Sequence, residues 1–238
     1  MIKALLLAAL AAAPAAAKPR VPRPEASELV LSALTGPATS YAAVQRVQVF
    51  LPGAKPKAVT ASLTVLPGRR VRREVKPRRK SASPFVLVTV DPESPEAGLA
   101  RLRSLYDLSV STGGVVAKRK TWRVDLTLKG GLRRRSLWVD RESGLLLKRE
   151  TYRDDGTLAR RERLTKLELG APVDASAFAA AAPGKPWAPE GFVPAGAKDG
   201  ARLWSDGVET YRVGPGGAVT GLLAEDDAAK VRDSAAAR

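Results

Sequence analysis

The feature that most limits this chain is a strict two-residue alternation across positions 121–128. Trp122, Val124, Leu126 and Leu128 fall on one phase, and Thr121, Arg123, Asp125 and Thr127 on the other. Extended backbone sends successive side chains to opposite faces, so the segment predicts a strand with one buried face. The same pattern recurs at Val59, Ala61, Leu63 and Val65, set against Thr60, Ser62 and Thr64. A sheet that gathers its large apolar residues on one face must cover that face with other elements.

Further short strands are predicted at residues 42–51, 70–75, 85–90, 137–140, 145–152 and 157–169, with 58–66 and 121–128 between them. Pro52-Gly53, Pro67-Gly68, Arg141 to Gly144 and Asp154-Asp155-Gly156 separate neighbours by turn-forming residues, which predicts consecutive hairpins and an antiparallel meander. Two helices supply the cover. Ala26, Leu29, Val30, Ala33 and Leu34 share a helical face within residues 25–34, stopped by Gly36-Pro37. Ser94-Pro95-Glu96 reads as N-cap, first-turn proline and first-turn acid ahead of Leu99, Leu102, Leu105 and Tyr106. The fold class is therefore α+β, an antiparallel sheet with helices on one face. Asp174 is expected to cap a short helix over 175–182, and Pro183-Gly184 closes a main domain spanning 25–183. Residues 184–238 are too few for an independent core without disulfides or metal. They are expected to form a small C-terminal subdomain packed on the main one, with residues 226–238 frayed.

The chain holds no Cys and no His. A thiolate nucleophile, an imidazole base, a disulfide and a Cys/His metal site are thereby excluded. Carboxylates, Lys, Tyr and Ser remain, and no spacing of them suggests a catalytic constellation. Asp154-Asp155 belongs to a hairpin turn, and Glu225-Asp226-Asp227 resembles neither a calcium loop nor a pair of catalytic acids. The reading is a binding protein without enzymatic activity, cofactor or metal.

The first residues set the compartment. A positive start, Met1-Ile2-Lys3, precedes the apolar run Ala4 to Ala13, and Ala15-Ala16-Ala17 offers small residues for cleavage, the pattern of a secretory signal peptide over 1–17. The apolar run falls well short of the ~20 residues that span a bilayer. Residues 18–24, with three prolines, read as a linker. The net charge of +16, or +15 after cleavage, favours polyanionic partners, and export directs that preference to anionic membrane surfaces rather than nucleic acid. With no Cys at the cleavage point, a lipid anchor is not expected.

Several segments then carry a resemblance. They are Leu137-Trp138-Val139-Asp140, Ser143-Gly144-Leu145-Leu146-Leu147-Lys148-Arg149, Asp155-Gly156 and the strand ending Leu167-Glu168-Leu169-Gly170. Tyr106-Asp107-Leu108-Ser109-Val110 and Pro67-Gly68-Arg69-Arg70-Val71-Arg72-Arg73-Glu74 belong with them. Over residues 25 to about 183 the chain resembles the domain shared by the lipoprotein carriers LolA and LolB and the MucB/RseB regulators of sigma-E. Pro172-Val173-Asp174 leading to Phe178, Pro189-Glu190-Gly191-Phe192 and Trp204-Ser205-Asp206-Gly207-Val208 resemble the regulator branch, although the C-terminal part is shorter than that branch implies.

The resemblance implies that this sheet is strongly curved, a LolA-like unclosed barrel with the helices over its concave face and an apolar cavity between them, in a periplasmic protein. It further implies an apolar or lipidated ligand and control of an anti-sigma factor; the alternative is a soluble carrier of lipoprotein acyl chains. The residues expected to line the cavity are Val59, Leu63, Val65, Trp122, Val124, Leu126 and Leu128. Arg69, Arg70, Arg72 and Arg73 are expected on a rim that meets anionic headgroups or an acidic partner segment. If the strand is regular, Arg70 and Arg72 share one face while Arg69 and Arg73 lie on the other with Val71.

Overall fold

The computed structural model describes residues 22–67, 70–75, 85–90, 94–178, 193–198, 201–205, 210–214, 218–220 and 231. The expected signal peptide, most of the linker and Arg69 lie outside them. Helix α1 spans Ala26–Thr35 and is followed by strands β1 (Tyr41–Val49), β2 (Lys57–Leu66), β3 (Arg70–Val75) and β4 (Phe85–Val90). Helix α2 (Pro95–Leu105) leads straight into β5 (Tyr106–Val116), then β6 (Arg119–Leu128), β7 (Arg133–Asp140), β8 (Leu146–Tyr152) and β9 (Leu158–Leu169). These nine strands form one antiparallel sheet in the order β4-β3-β2-β1-β9-β8-β7-β6-β5. The chain thus builds one wing, crosses by α2 to the far edge, and returns hairpin by hairpin to the centre. β4 and β5 are the two edges, so the sheet is unclosed. It is also strongly curved: β5 lies against β9 although three strands separate them.

The helices are set as their sequences dictate. Ser94 caps α2 by accepting from Ala97 N at 3.1 Å, with Pro95 at its first position. α1 ends at Gly36, whose φ of 75° lies in the left-handed region. α1 packs on β5, β6 and β7, and α2 packs on α1 and β5. The main core lies there: Leu29 and Val30 of α1 and Leu102 of α2 close on Tyr106, Trp122, Val124, Leu126, Leu137 and Val139. A second cluster gathers Ala43, Leu63, Leu164, Leu145, Leu147, Trp138 and Val116.

The C-terminal part differs from its expectation in one respect. Strands β10 (Val193–Lys198), β11 (Ala201–Ser205), β12 (Thr210–Val213) and β13 (Val219–Thr220) form a second antiparallel sheet. Trp204 stacks on Tyr211 at 6.1 Å, and both pack with Val231. Val231, within the stretch expected to fray, is 3% exposed, because the stacked pair presents an apolar surface that needs cover. The short helix expected over 175–182 is a single 3-10 turn, Ala175–Phe178, among the described residues. Asp174 does cap it, accepting from Ser176 N at 2.9 Å.

Candidate functional site

Helix cover and strand register together decide which side chains share a face. Leu137 sits under the helices and pairs across with Arg149, which pairs with Glu162; Glu162 pairs with Val47. The inward phase of β1 is Ala43, Gln45, Val47 and Val49, all buried. Ala43 pairs with Leu63 and Leu63 with Arg73. The helix-covered face therefore runs from an apolar floor at β5–β7 into a polar centre at β8, β9 and β1, and out to β3.

That centre is a buried ionic cluster. Glu162 accepts from Arg160 Nε at 2.7 Å and from Arg149 Nη2 at 2.9 Å on both oxygens, and Gln45 Nε2 donates to its Oε2 at 3.3 Å. Burial alone would raise the Glu162 carboxyl, but the charges of Arg149, Arg160 and Arg73 hold it far below the ordinary carboxylate range. Arg160 and Arg73 are themselves buried, Arg73 to 2% exposure.

The opposite face carries a wetter network. Asp125 takes Arg123 Nε at 2.9 Å and the Ser136 hydroxyl. Tyr152 donates its hydroxyl to Glu150 at 2.6 Å, and Glu150 also holds Lys148 and Arg161 at 2.9 and 2.7 Å. Burial works to raise the Glu150 carboxyl, yet these donors keep it below its usual value; burial pushes the Tyr152 phenol up. Cations cover the rings on this face: Lys148 Nζ lies 3.7 Å from the Trp138 ring centre and the Arg133 guanidinium 4.3 Å from that of Tyr152. Such a face presents positive charge on apolar platforms.

The expected cavity residues fall into two groups. Trp122, Val124, Leu126 and Leu128 lie beneath α1 and α2, and Val124 and Leu126 are fully buried against them. Leu63 belongs to the second cluster, Val65 is buried and Val59 half-buried on the same face of β2. The arginines also divide. Arg70 is exposed, Arg72 is half-exposed and paired with Glu74 at 3.1 Å, and Arg73 points inward with Val71. Of the arginines expected on a rim, Arg70 and Arg72 reach the surface of β3 and Arg73 does not.

Gln45, Arg149, Arg160 and Glu162 are absent from the sequence-level candidates. Their signal is a polar residue on the apolar phase of a strand, as Gln45 is among Ala43, Val47 and Val49. For β9 the signal is blurred, because the pairing with β1 shifts register between Val44 and Gln45 and the phase of the strand breaks there.

The model of the MucB/RseB N-terminal domain matches residues 26–182. The chain belongs to the MucB/RseB family. Two solved MucB structures share its fold. MucB in complex with MucA(peri) is 20% identical, with a TM-score of 0.51, over 79% of this chain and 78% of that one. MucB alone is 19% identical, with a TM-score of 0.50, over 88% of this chain and 96% of that one. A MucA/MucB complex from Pseudomonas aeruginosa matches at 19% identity and a TM-score of 0.48, over 79% and 78%. No curated protein shows a significant match to the chain. The family match ends within a few residues of the expected boundary at 183, and the second sheet lies beyond it. Among the described residues no helix is long and apolar enough to cross a membrane, and none group into a metal site.

Proposed function

We propose that this protein is an exported, non-enzymatic regulator that binds the periplasmic segment of an anti-sigma factor, and whose partner binding responds to an apolar or lipidated ligand. The family match over residues 26–182 carries the reading. The likeness to MucB, solved with MucA(peri), supplies the partner class, and the second sheet after the family domain supports a regulator over a single-domain carrier. The sheet face opposite the helices, with Arg123, Lys148, Arg133 and Arg161 over aromatic rings, suits an acidic segment. Ligand control requires the ligand to favour one conformation over another by differential affinity, and helices resting on an open sheet offer two such states.

The test is titration of the mature chain with the periplasmic segment of an anti-sigma factor from the same genome, with native mass spectrometry of protein purified without detergent. A one-to-one complex with a Kd of about 10 μM or tighter is expected, weakened when lipid is added. No complex at about 100 μM segment overturns the regulator reading, while a co-purified lipid in that case favours a carrier.

A further inference from the structure

Arg73 has surroundings that the regulator reading leaves unused. It stands mid-strand on the helix-covered face, across from Leu63, with Val71 and Val75 on the same phase of β3. It is 2% exposed, yet among the described residues Nε and Nη2, the two nitrogens of its side-on fork, have no hydrogen-bond partner. A guanidinium does not deprotonate in a protein. Among the described residues the carboxylate that acts on it is Glu162, through space, and both oxygens of Glu162 are engaged by Arg149, Arg160 and Gln45. Arg73 thus lies buried beside a carboxylate whose two oxygens are already taken by other donors, where an uncompensated charge is strongly unfavourable.

We infer that this corner takes the carboxylate of a single-chain amphiphile, head inward, with its two oxygens on Arg73 Nε and Nη2 and its alkyl chain along Leu63, Val65 and Val71. The inference rests on the apolar-ligand reading above and names the head group that reading lacks. Two coplanar N–H donors match the two oxygens of a carboxylate, whereas the further oxygens and second charge of a phosphate monoester would find no donors there. An alkyl chain brings no polar groups onto the flanking apolar phase. A peptide would bring its backbone, with donors and acceptors to satisfy.

The experiment uses the full mature chain, stripped of lipid, titrated calorimetrically with decanoate, 1-decanol and acetate, in wild type, Arg73→Leu and Arg73→Lys. Decanoate is expected to bind wild type at least about 10-fold more tightly than decanol, the scale of a charge-assisted hydrogen bond, and acetate at matched concentration should not displace it. Arg73→Leu should bring decanoate and decanol within about threefold of each other without weakening decanol, and Arg73→Lys, which keeps the charge but loses the fork, should fall between. Melting temperatures verify that each variant is folded, and Arg73→Lys alone decides if Arg73→Leu is not. Equal binding of decanoate and decanol to wild type overturns the carboxylate inference and leaves the apolar-ligand reading standing; binding of neither overturns both. Displacement by acetate overturns the amphiphile in favour of a free carboxylate ion.

Discussion

Glu162 remains ionised although protein surrounds it, because two arginines donate to it and a third acts on it through space. A carboxyl depressed in the folded state stabilises fully above its unfolded value, near 4.3, and loses that contribution as pH falls toward the folded value. Glu150 and Asp140 are shifted the same way, so the melting temperature should fall below about pH 4.5, and Glu162→Gln should flatten that fall. At neutral pH the same change removes the buried negative charge to which Arg149 and Arg160 donate. A cost of about 3 kcal/mol is expected, or roughly 10 °C in a domain of this size, measured by thermal melting. A variant that melts within about 2 °C of wild type at pH 7 would show that the cluster stabilises little. In the sequence, Arg73 was legible as sharing a face with Val71. The ion cluster was not, since its members come from β1, β3, β8 and β9, and only tertiary pairing brings them together.

At the level of elements, turns and close approaches hold the sheet and helices in place. In the turn between β7 and β8, Asp140 accepts from Ser143 N at 2.9 Å and from Arg119 Nη2 at 2.8 Å. Gly144 follows at a φ of 71°, with Ser32 of α1 pressed against it. Gly144→Ala would combine left-handed strain with a clash on α1, so a loss of about 2 kcal/mol is expected in urea unfolding, with m unchanged. Gly113, at the β5–β6 bulge, has no room for a Cβ beside Thr121 and 2.9 Å from Trp138 Cδ1. Where apolar residues alternate, strand limits were legible: β3 and β4 run over the predicted residues and β1 and β2 shift by one or two. β7 begins at Arg133, four residues before the predicted start at Leu137. Arg133, Arg134 and Arg135 show no apolar phase, and what holds that stretch is long-range: Arg134 on Asp154, Arg133 over Tyr152, and the pairing with β6.

Across the whole molecule, alternation plus two amphipathic helices dictated a covered antiparallel sheet, and the family resemblance implied that it is unclosed. Alternation could not tell dry core from ligand lining, because both demand apolar residues on the inner phase. The structure puts Leu126 at 0% exposure beneath the helices. Leu126→Glu should therefore bury an unpaired charge, cost several kcal/mol and leave most of the protein unfolded by circular dichroism at 25 °C; a folded variant with weakened lipid binding would mean instead that water reaches this position. An unclosed sheet also has two ends, and β4 is one of them. Phe85–Val90 reads Phe-Val-Leu-Val-Thr-Val, six uncharged residues of high strand propensity whose outer edge, unpaired among the described residues, is a template for another copy of itself. Pro84 and Pro92 bracket the segment and Lys76 to Lys80 precede it at high positive charge, the placement of residues that interrupt runaway strand addition. Val88 pairs with Arg72, so Val88→Glu should slow aggregation on heating, followed by light scattering, at an unchanged melting temperature. The edge that leaves the sheet unclosed thus exposes the protein to polymerisation, and in the sequence prolines and cations flank the strand that forms it.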